Sequence, residues 1–107
     1  MKKEKNWTDV MHMPWSELGK GIYVKILNID EETGSYTRLL KFDAGAETKE
    51  VSVHDFWEEA FIIKGTIIDE SIGAEVREGS YVCRAPGTKH GPFRSPNGCL
   101  IIEFTYR

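Results

Sequence analysis

The sequence has no long apolar run, no excess of basic residues, little cysteine and almost no helical periodicity. Each absence removes a class of protein. The longest apolar stretches, around Ala60–Ile63 and Cys99–Ile102, fall far short of the ~20 residues a membrane-spanning helix needs. The opening Met1-Lys2-Lys3-Glu4-Lys5-Asn6 has the charge of a signal-peptide start, but no apolar segment follows it. A soluble cytoplasmic protein without a membrane partner is therefore the expectation. There are 14 Lys and Arg against 17 Asp and Glu, a net charge of −3, where a phosphate-neutralising protein would be basic or carry a basic stripe. The one basic cluster, Lys2, Lys3 and Lys5, is interrupted by Glu4 and reads as a solvated tail. Nucleic acid is set aside as a partner. The two cysteines, Cys83 and Cys99, form no C-x-x-C, which excludes a zinc knuckle or a dithiol redox motif. They read as reduced core thiols, and a disulfide is open to them only if their strands are neighbours.

What is present is a run of short apolar or alternating segments divided by turns, within 107 residues that suffice for one core and not for two. Ile22–Ile29 is rich in β-branched and aromatic residues and stops at Asp30-Glu31-Glu32-Thr33-Gly34; Tyr36–Phe42 follows, so the pair reads as a hairpin. Asp43–Ala46 turns the chain. Lys49–His54 is expected as a strand, then Ala60–Lys64 after a break, with Gly65 making a tight connection into Thr66–Asp69. Further strands are expected at Ser80–Arg84 and Cys99–Tyr106, the latter after the turn Ser95-Pro96-Asn97-Gly98. Turns at this frequency are what antiparallel barrels and jelly rolls produce. The segment Asn6–Ser16 is read as either helical or draped over the barrel, with Trp7, Met11, Met13 and Trp15 as apolar surface to bury.

Only three histidines occur, His12, His54 and His90. His54 precedes Glu58 by four residues, and His90 ends Pro86-Gly87-Thr88-Lys89-His90. Neutral imidazoles with one carboxylate bind a borderline divalent metal and leave positions open for water or substrate. Strand alternation puts Ser52 and His54 on one face. Taken singly, a strand histidine is more often structural, Glu58-Glu59 reads as a solvated turn, and Pro-Gly-x-x-His is mostly a turn. The order and spacing of the set carry the reading. His12 lies outside it, in a segment expected at the surface.

These residues resemble the cupin superfamily, whose motifs are G-x5-H-x-H-x3-4-E-x6-G and G-x5-P-x-G-x2-H. His54-x3-Glu58 and Glu58-x6-Gly65 match the first; Gly79, Gly87 and His90 match the second, with the proline displaced to Pro86. Within that superfamily the chain is most similar to ChrR-like cupins, through Met13-Pro14-Trp15, Gly21, Lys25-x-Leu27, Asp30, Thr33-Gly34, Phe42, Gly45-Ala46, Glu58-Glu59, Asp69-Glu70, Gly79-x-Tyr81, Pro86-Gly87-x-x-His90 and Gly98-Cys99. The resemblance implies an all-β fold, an antiparallel double-stranded β-helix of the jelly-roll or cupin type. Residues 1–12 would form an N-terminal tail or arm and residues 13–107 a single barrel, often dimeric. Two departures stand out. Ser52 occupies the place of the first histidine, and the spacing from Gly45 is one residue longer, which a β-bulge would absorb.

The implied site is a divalent transition metal (Fe, Mn, Ni or Zn) held by His54, Glu58 and His90, the two-histidine, one-carboxylate set that leaves positions free for dioxygen or substrate. Ser52 would leave space beside it. Phe56, Trp57 and Phe93 flank the ligand positions as pocket wall or as core, and Glu59 is expected to point outward. Arg38 and Arg84 would either form structural ion pairs or hold a substrate carboxylate. The looser likeness to acetylacetone-cleaving dioxygenases makes dioxygenase, lyase or isomerase chemistry on a small carbonyl- or carboxylate-bearing molecule the leading expectation. The alternative is a non-catalytic small-molecule or redox sensor, as in relatives fused to an anti-sigma segment; the stretch before Met13 lacks the cysteines of such a zinc-binding module. A barrel in which the histidines merely pack is the third reading.

Overall fold

The computed structural model describes Met1–Arg107. Nine strands make the fold: β1 (Ser16–Gly19), β2 (Ile22–Ile29), β3 (Tyr36–Phe42), β4 (Ala46–Glu47), β5 (Trp57–Asp69), β6 (Ala74–Arg77), β7 (Tyr81–Arg84), β8 (Phe93–Ser95) and β9 (Cys99–Tyr106). The only helical piece is one 3₁₀ turn, Val10–His12, capped by Asp9. Every pairing is antiparallel, in the order β1-β2-β3-β9-β5-β8-β4, with β6 and β7 also on β5. This is the curled all-β sheet expected of a double-stranded β-helix. No helix is long and apolar enough to cross a membrane.

β5 holds the two halves together. Its first part lies between β9 and β7, and its second part lies between β8 and β6. In the first part the inward residues are Glu58, Ala60 and Ile62; in the second they are Ile67 and Asp69. Even and odd positions thus exchange faces, and a bulge between Ile62 and Lys64 against β9 supplies the extra residue. The connection expected at Gly65 is therefore a bend inside one continuous strand. Gly65 has φ +82°, and a Cβ there would lie 2.2 Å from the Gly98 carbonyl oxygen, so only glycine fits.

The hairpin of β2 and β3 forms as expected and reaches β9 through β3. The inward residues of β3 and β9 are apolar at one end (Leu40 and Phe42; Cys99 and Ile101) and polar at the other (Tyr36 and Arg38; Glu103 and Thr105). The apolar end joins Ile22, Val24, Ala46, Ile62 and Ile67 as the core. The polar end becomes the functional layer. Cys83 and Cys99 are both free thiols: β7 and β9 flank β5 on opposite sides, with Cys83 exposed and Cys99 in the core.

The strand expected at Lys49–His54 is an irregular loop, with β4 two residues long ahead of it. Its backbone bonds go to the β7–β8 loop: Ser52 and His90 exchange N–H···O bonds of 2.7 and 3.0 Å, and the Gly87 N–H donates to the His54 carbonyl at 2.8 Å. Val51 and Val53 point to solvent, so apolar alternation there had no core to face. Ahead of β1, residues 2–10 run beside β2 and β3. Asn28 bonds both the N–H and the carbonyl of Lys3, and buried Lys25 donates to the Val10 carbonyl at 2.8 Å while its ammonium sits 4.5 Å from the Trp15 ring centre.

Two glycines test the strand bend. Gly73 has φ +61° with open space around it, so Gly73→Ala is expected to cost only the ~1–2 kcal/mol of a left-handed backbone bearing a Cβ. Gly65→Ala must also push Gly98 away, and its loss in a urea melt should clearly exceed that of Gly73→Ala. Equal losses would mean that β5 does not depend on the close approach.

Candidate metal centre

Three side chains from three separate segments meet in the barrel. His54 comes from the β4–β5 loop, Glu58 from the first turn of the pleat in β5, and His90 from the β7–β8 loop. One nitrogen or oxygen from each lies within 4.8 Å of the others. His54 Nε2 is 3.6 Å from Glu58 Oε2, and His90 Nε2 is 3.7 Å from Glu58 Oε1. Both are too long for hydrogen bonds. Both lie within twice the ~2.1 Å reach of a metal–nitrogen or metal–oxygen bond, as ligands sharing one ion require.

The donor chemistry also fits an ion. The Nδ1–H of His54 donates to the Phe56 carbonyl at 3.1 Å, because a carbonyl can only accept. That bond fixes the tautomer and leaves a lone pair on Nε2, the usual arrangement of a metal-bound imidazole. Nε2 is buried and has no hydrogen-bond partner. Such a group is costly unless something accepts its lone pair. The Phe56 ring stacks on His54 at 4.1 Å with planes 2° apart, so the loop grips the imidazole by ring and carbonyl together. His90 is oriented by packing, edge-on to His54 at 5.0 Å and 5.8 Å from the Phe93 ring. Its Nδ1 is buried without a partner.

The cluster opens into a cavity of about 570 Å³. Ser52 and Phe93 line it; Phe56 does not, being the backing of His54 on the far side of the ring. Trp57 and Glu59 face outward, Trp57 stacked on Tyr106 and Glu59 accepting a hydrogen bond from the Tyr81 hydroxyl. His12 pairs with Asp9 at the surface, away from the cluster. Both arginines flagged in the strands line the cavity. Arg38 Nε donates to Glu103 at 2.6 Å, and Arg84 Nη2 donates to Asp69 at 2.6 Å.

Asp69 and Glu103 carry no site role by residue type or spacing. Asp69 is almost fully buried and collects Ser71 N–H, Ser71 Oγ and Gly91 N–H on one oxygen and Arg84 on the other. It therefore ties the residue after His90 to β5. Burial works against its charge, but these hydrogen bonds and Arg84 hold its pKa below the usual carboxylate range. The signal available was parity: Glu103 shares the inward phase of Ile101, and Arg38 that of Leu40.

Glu58 is the strained member. Burial first, and Glu103 second, push its pKa from the usual 4.5 up to about 7, with Arg38 and Arg84 pulling the other way. Burial, helped by Arg84 and His54, holds His90 below the usual 6.5, which keeps the ring neutral. In EDTA-treated protein, Glu58 binds more protons folded than unfolded between pH 4.5 and about 7, so its contribution to stability is lost as pH rises through that window. His90 acts with the opposite sign near 6.5. Comparison of wild type with Glu58→Gln separates the two. The variant should melt alongside wild type near pH 4.5 and progressively above it up to pH 7; a gap that stays constant or reverses would show that the arginines outweigh the burial.

Comparison with known proteins agrees with this fold. An RmlC-like cupin from Shewanella frigidimarina superposes with a TM-score of 0.80 at 19% identity, covering 98% of this chain and 94% of that one. An acetylacetone dioxygenase from Acinetobacter johnsonii gives 0.79 at 19% identity, covering 97% and 74%. The anti-sigma factor ChrR of Rhodobacter sphaeroides, solved in complex with SigE, gives 0.70 at 20% identity, covering 92% of this chain and 51% of that one. At these identities the likenesses speak for the fold alone. No curated protein matches the sequence significantly. The family model for the ChrR cupin-like domain matches residues 3–106, nearly the whole chain, and the protein belongs to that cupin family.

Proposed function

We propose that this chain is a metal-dependent cupin that acts on a small carbonyl- or carboxylate-bearing molecule, with His54, Glu58 and His90 as the protein ligands of a divalent transition metal. The observation that carries the reading is the convergence of three ligand atoms, one of them a buried imidazole lone pair without a partner, at the wall of a 570 Å³ cavity. A metal held there supplies Lewis acidity and open coordination positions, which suit dioxygenase, lyase or isomerase chemistry. The chain's own residues do the rest. Phe56 fixes the tautomer and plane of His54 through its carbonyl and ring. Asp69, through Gly91, and Ser52, through its backbone pair with His90, hold the second histidine's loop in register. Ser52 in place of a fourth ligand leaves room beside the cluster for the substrate. The apolar layer of Leu40, Ile62 and Ile101 excludes water from the inner end of the cavity.

The resemblance to ChrR, which was solved with a sigma factor, favours a second reading of the same site as a ligand or redox sensor without turnover. Turnover of small dicarbonyls, followed both by oxygen uptake and by loss of substrate, separates the two. The metal comes first. Elemental analysis of the untagged protein should give near-stoichiometric Fe, Mn, Ni or Zn, falling to background in a His54→Ala, His90→Ala double variant that still melts cooperatively. Wild type that holds none of these, even after reloading, would sink the metal reading.

A further inference from the structure

Resting on that reading of the cavity, we infer that its ligand is a short-chain aliphatic carboxylate whose carboxylate group is received end-on by the Arg38 guanidinium. Arg38 lines the cavity, and its guanidinium makes a single hydrogen bond within the protein, from Nε to Glu103. The two Nη groups have no protein acceptor. Its position is nonetheless fixed on two sides, by Glu103 at Nε and by the Tyr36 ring 4.5 Å below the guanidinium. A planar fork held this way presents two parallel N–H donors, the geometry that fits a carboxylate in bidentate fashion. A purely structural ion pair with Glu103 would not require that edge to face open space.

The surroundings define the rest of the ligand. Arg38 stands opposite Glu103 on β9, and Glu103 stands opposite Ala60 on β5, two residues beyond Glu58. Strand spacing and rise put the backbone of Arg38 roughly 12 Å from that of Glu58, and both side chains point inward. Along this span β9 presents Glu103, already bonded to Arg38, and Thr105, and one layer deeper Leu40, Ile62 and Ile101 build an apolar wall. A carboxylate on the fork, a hydrocarbon segment against that deeper wall and an oxygen function at the histidine end match these three parts of the lining. Arg84 is the other cavity arginine, but it sits opposite Glu58 in the ligand row itself and is committed to Asp69. It serves the Asp69 anchor of the second histidine's loop and not the distal end of the cavity.

The test uses EDTA-treated protein, so that it does not depend on the metal. Calorimetric titration compares hexanoate with its neutral analogue hexanamide. Wild type should bind hexanoate about tenfold or more tightly, the range expected when a charged partner is lost from a guanidinium. The Arg38→Gln, Glu103→Gln double variant removes both charges of the pair and should lose that preference. Arg38→Lys, which keeps the charge and removes the fork, should lose most of it and serves if the double variant does not fold. Arg84→Lys should retain it. No hexanoate binding by wild type, no preference over the amide, a preference that survives both Arg38 variants, or one that disappears instead in Arg84→Lys would each overturn the assignment. A protein that shows the preference but holds no metal would leave Arg38 as the anchor and refute the metal centre alone.

Discussion

Everything in this barrel depends on one change of parity in β5. Glu58 and Asp69 are eleven places apart, so in an unbroken strand they would point to opposite faces. The bulge between Ile62 and Lys64 adds one residue against β9, and Gly65 lets the backbone pass tightly under Gly98 into the second half of the fold. Glu58 then faces the cavity between β9 and β7, while Asp69 faces inward at the far end and grips Arg84 and Gly91. Ile62 and Ile67 both reach the core for the same reason. Without the bulge, either Glu58 or Asp69, the anchor of the second histidine's loop, would face solvent.

The second organising fact is that one end of the barrel interior is polar and charged. Arg38 with Glu103 and Arg84 with Asp69 are partly or fully buried pairs, and Glu58 lies between them without a bonded partner. Buried pairs of this kind rarely add stability over apolar packing, since desolvation offsets most of their attraction. Here they stand around a cavity and not inside a packed core. The two arginines temper the cost of a carboxylate at Glu58, while burial and Glu103 raise it. An apolar floor and a charged upper layer give the cavity two chemically distinct ends.

Much of the barrel was legible in the chain. The hairpin of β2 and β3 and the long strand β9 stand where their β-branched and aromatic runs and the bounding turns put them. The short strands β1, β4, β6 and β8 went unread, because two to four residues carry too little periodicity to register. Lys49–His54 carried an alternating pattern but forms a loop, since its backbone is satisfied by the β7–β8 loop instead of by a ladder. At the site, His54, Glu58 and His90 were found by residue type and spacing. Asp69 and Glu103 were not, because an acidic residue in a strand looks solvated until its parity within the sheet is known.

The sequence by itself determined the class of fold and singled out His54, Glu58 and His90 as one candidate cluster, with Ser52 where the resemblance places a further histidine. These are local properties: turn residues, side-chain chemistry and spacing along the chain. Only the tertiary structure decided which face each charged residue occupies, that Phe56 backs His54 while Phe93 walls the cavity, and that Arg38 keeps both Nη groups free. Those outcomes turn on strand register and on one bulge. A shift of a single residue inverts every side chain beyond it, and no pairwise spacing in the sequence records where that shift falls.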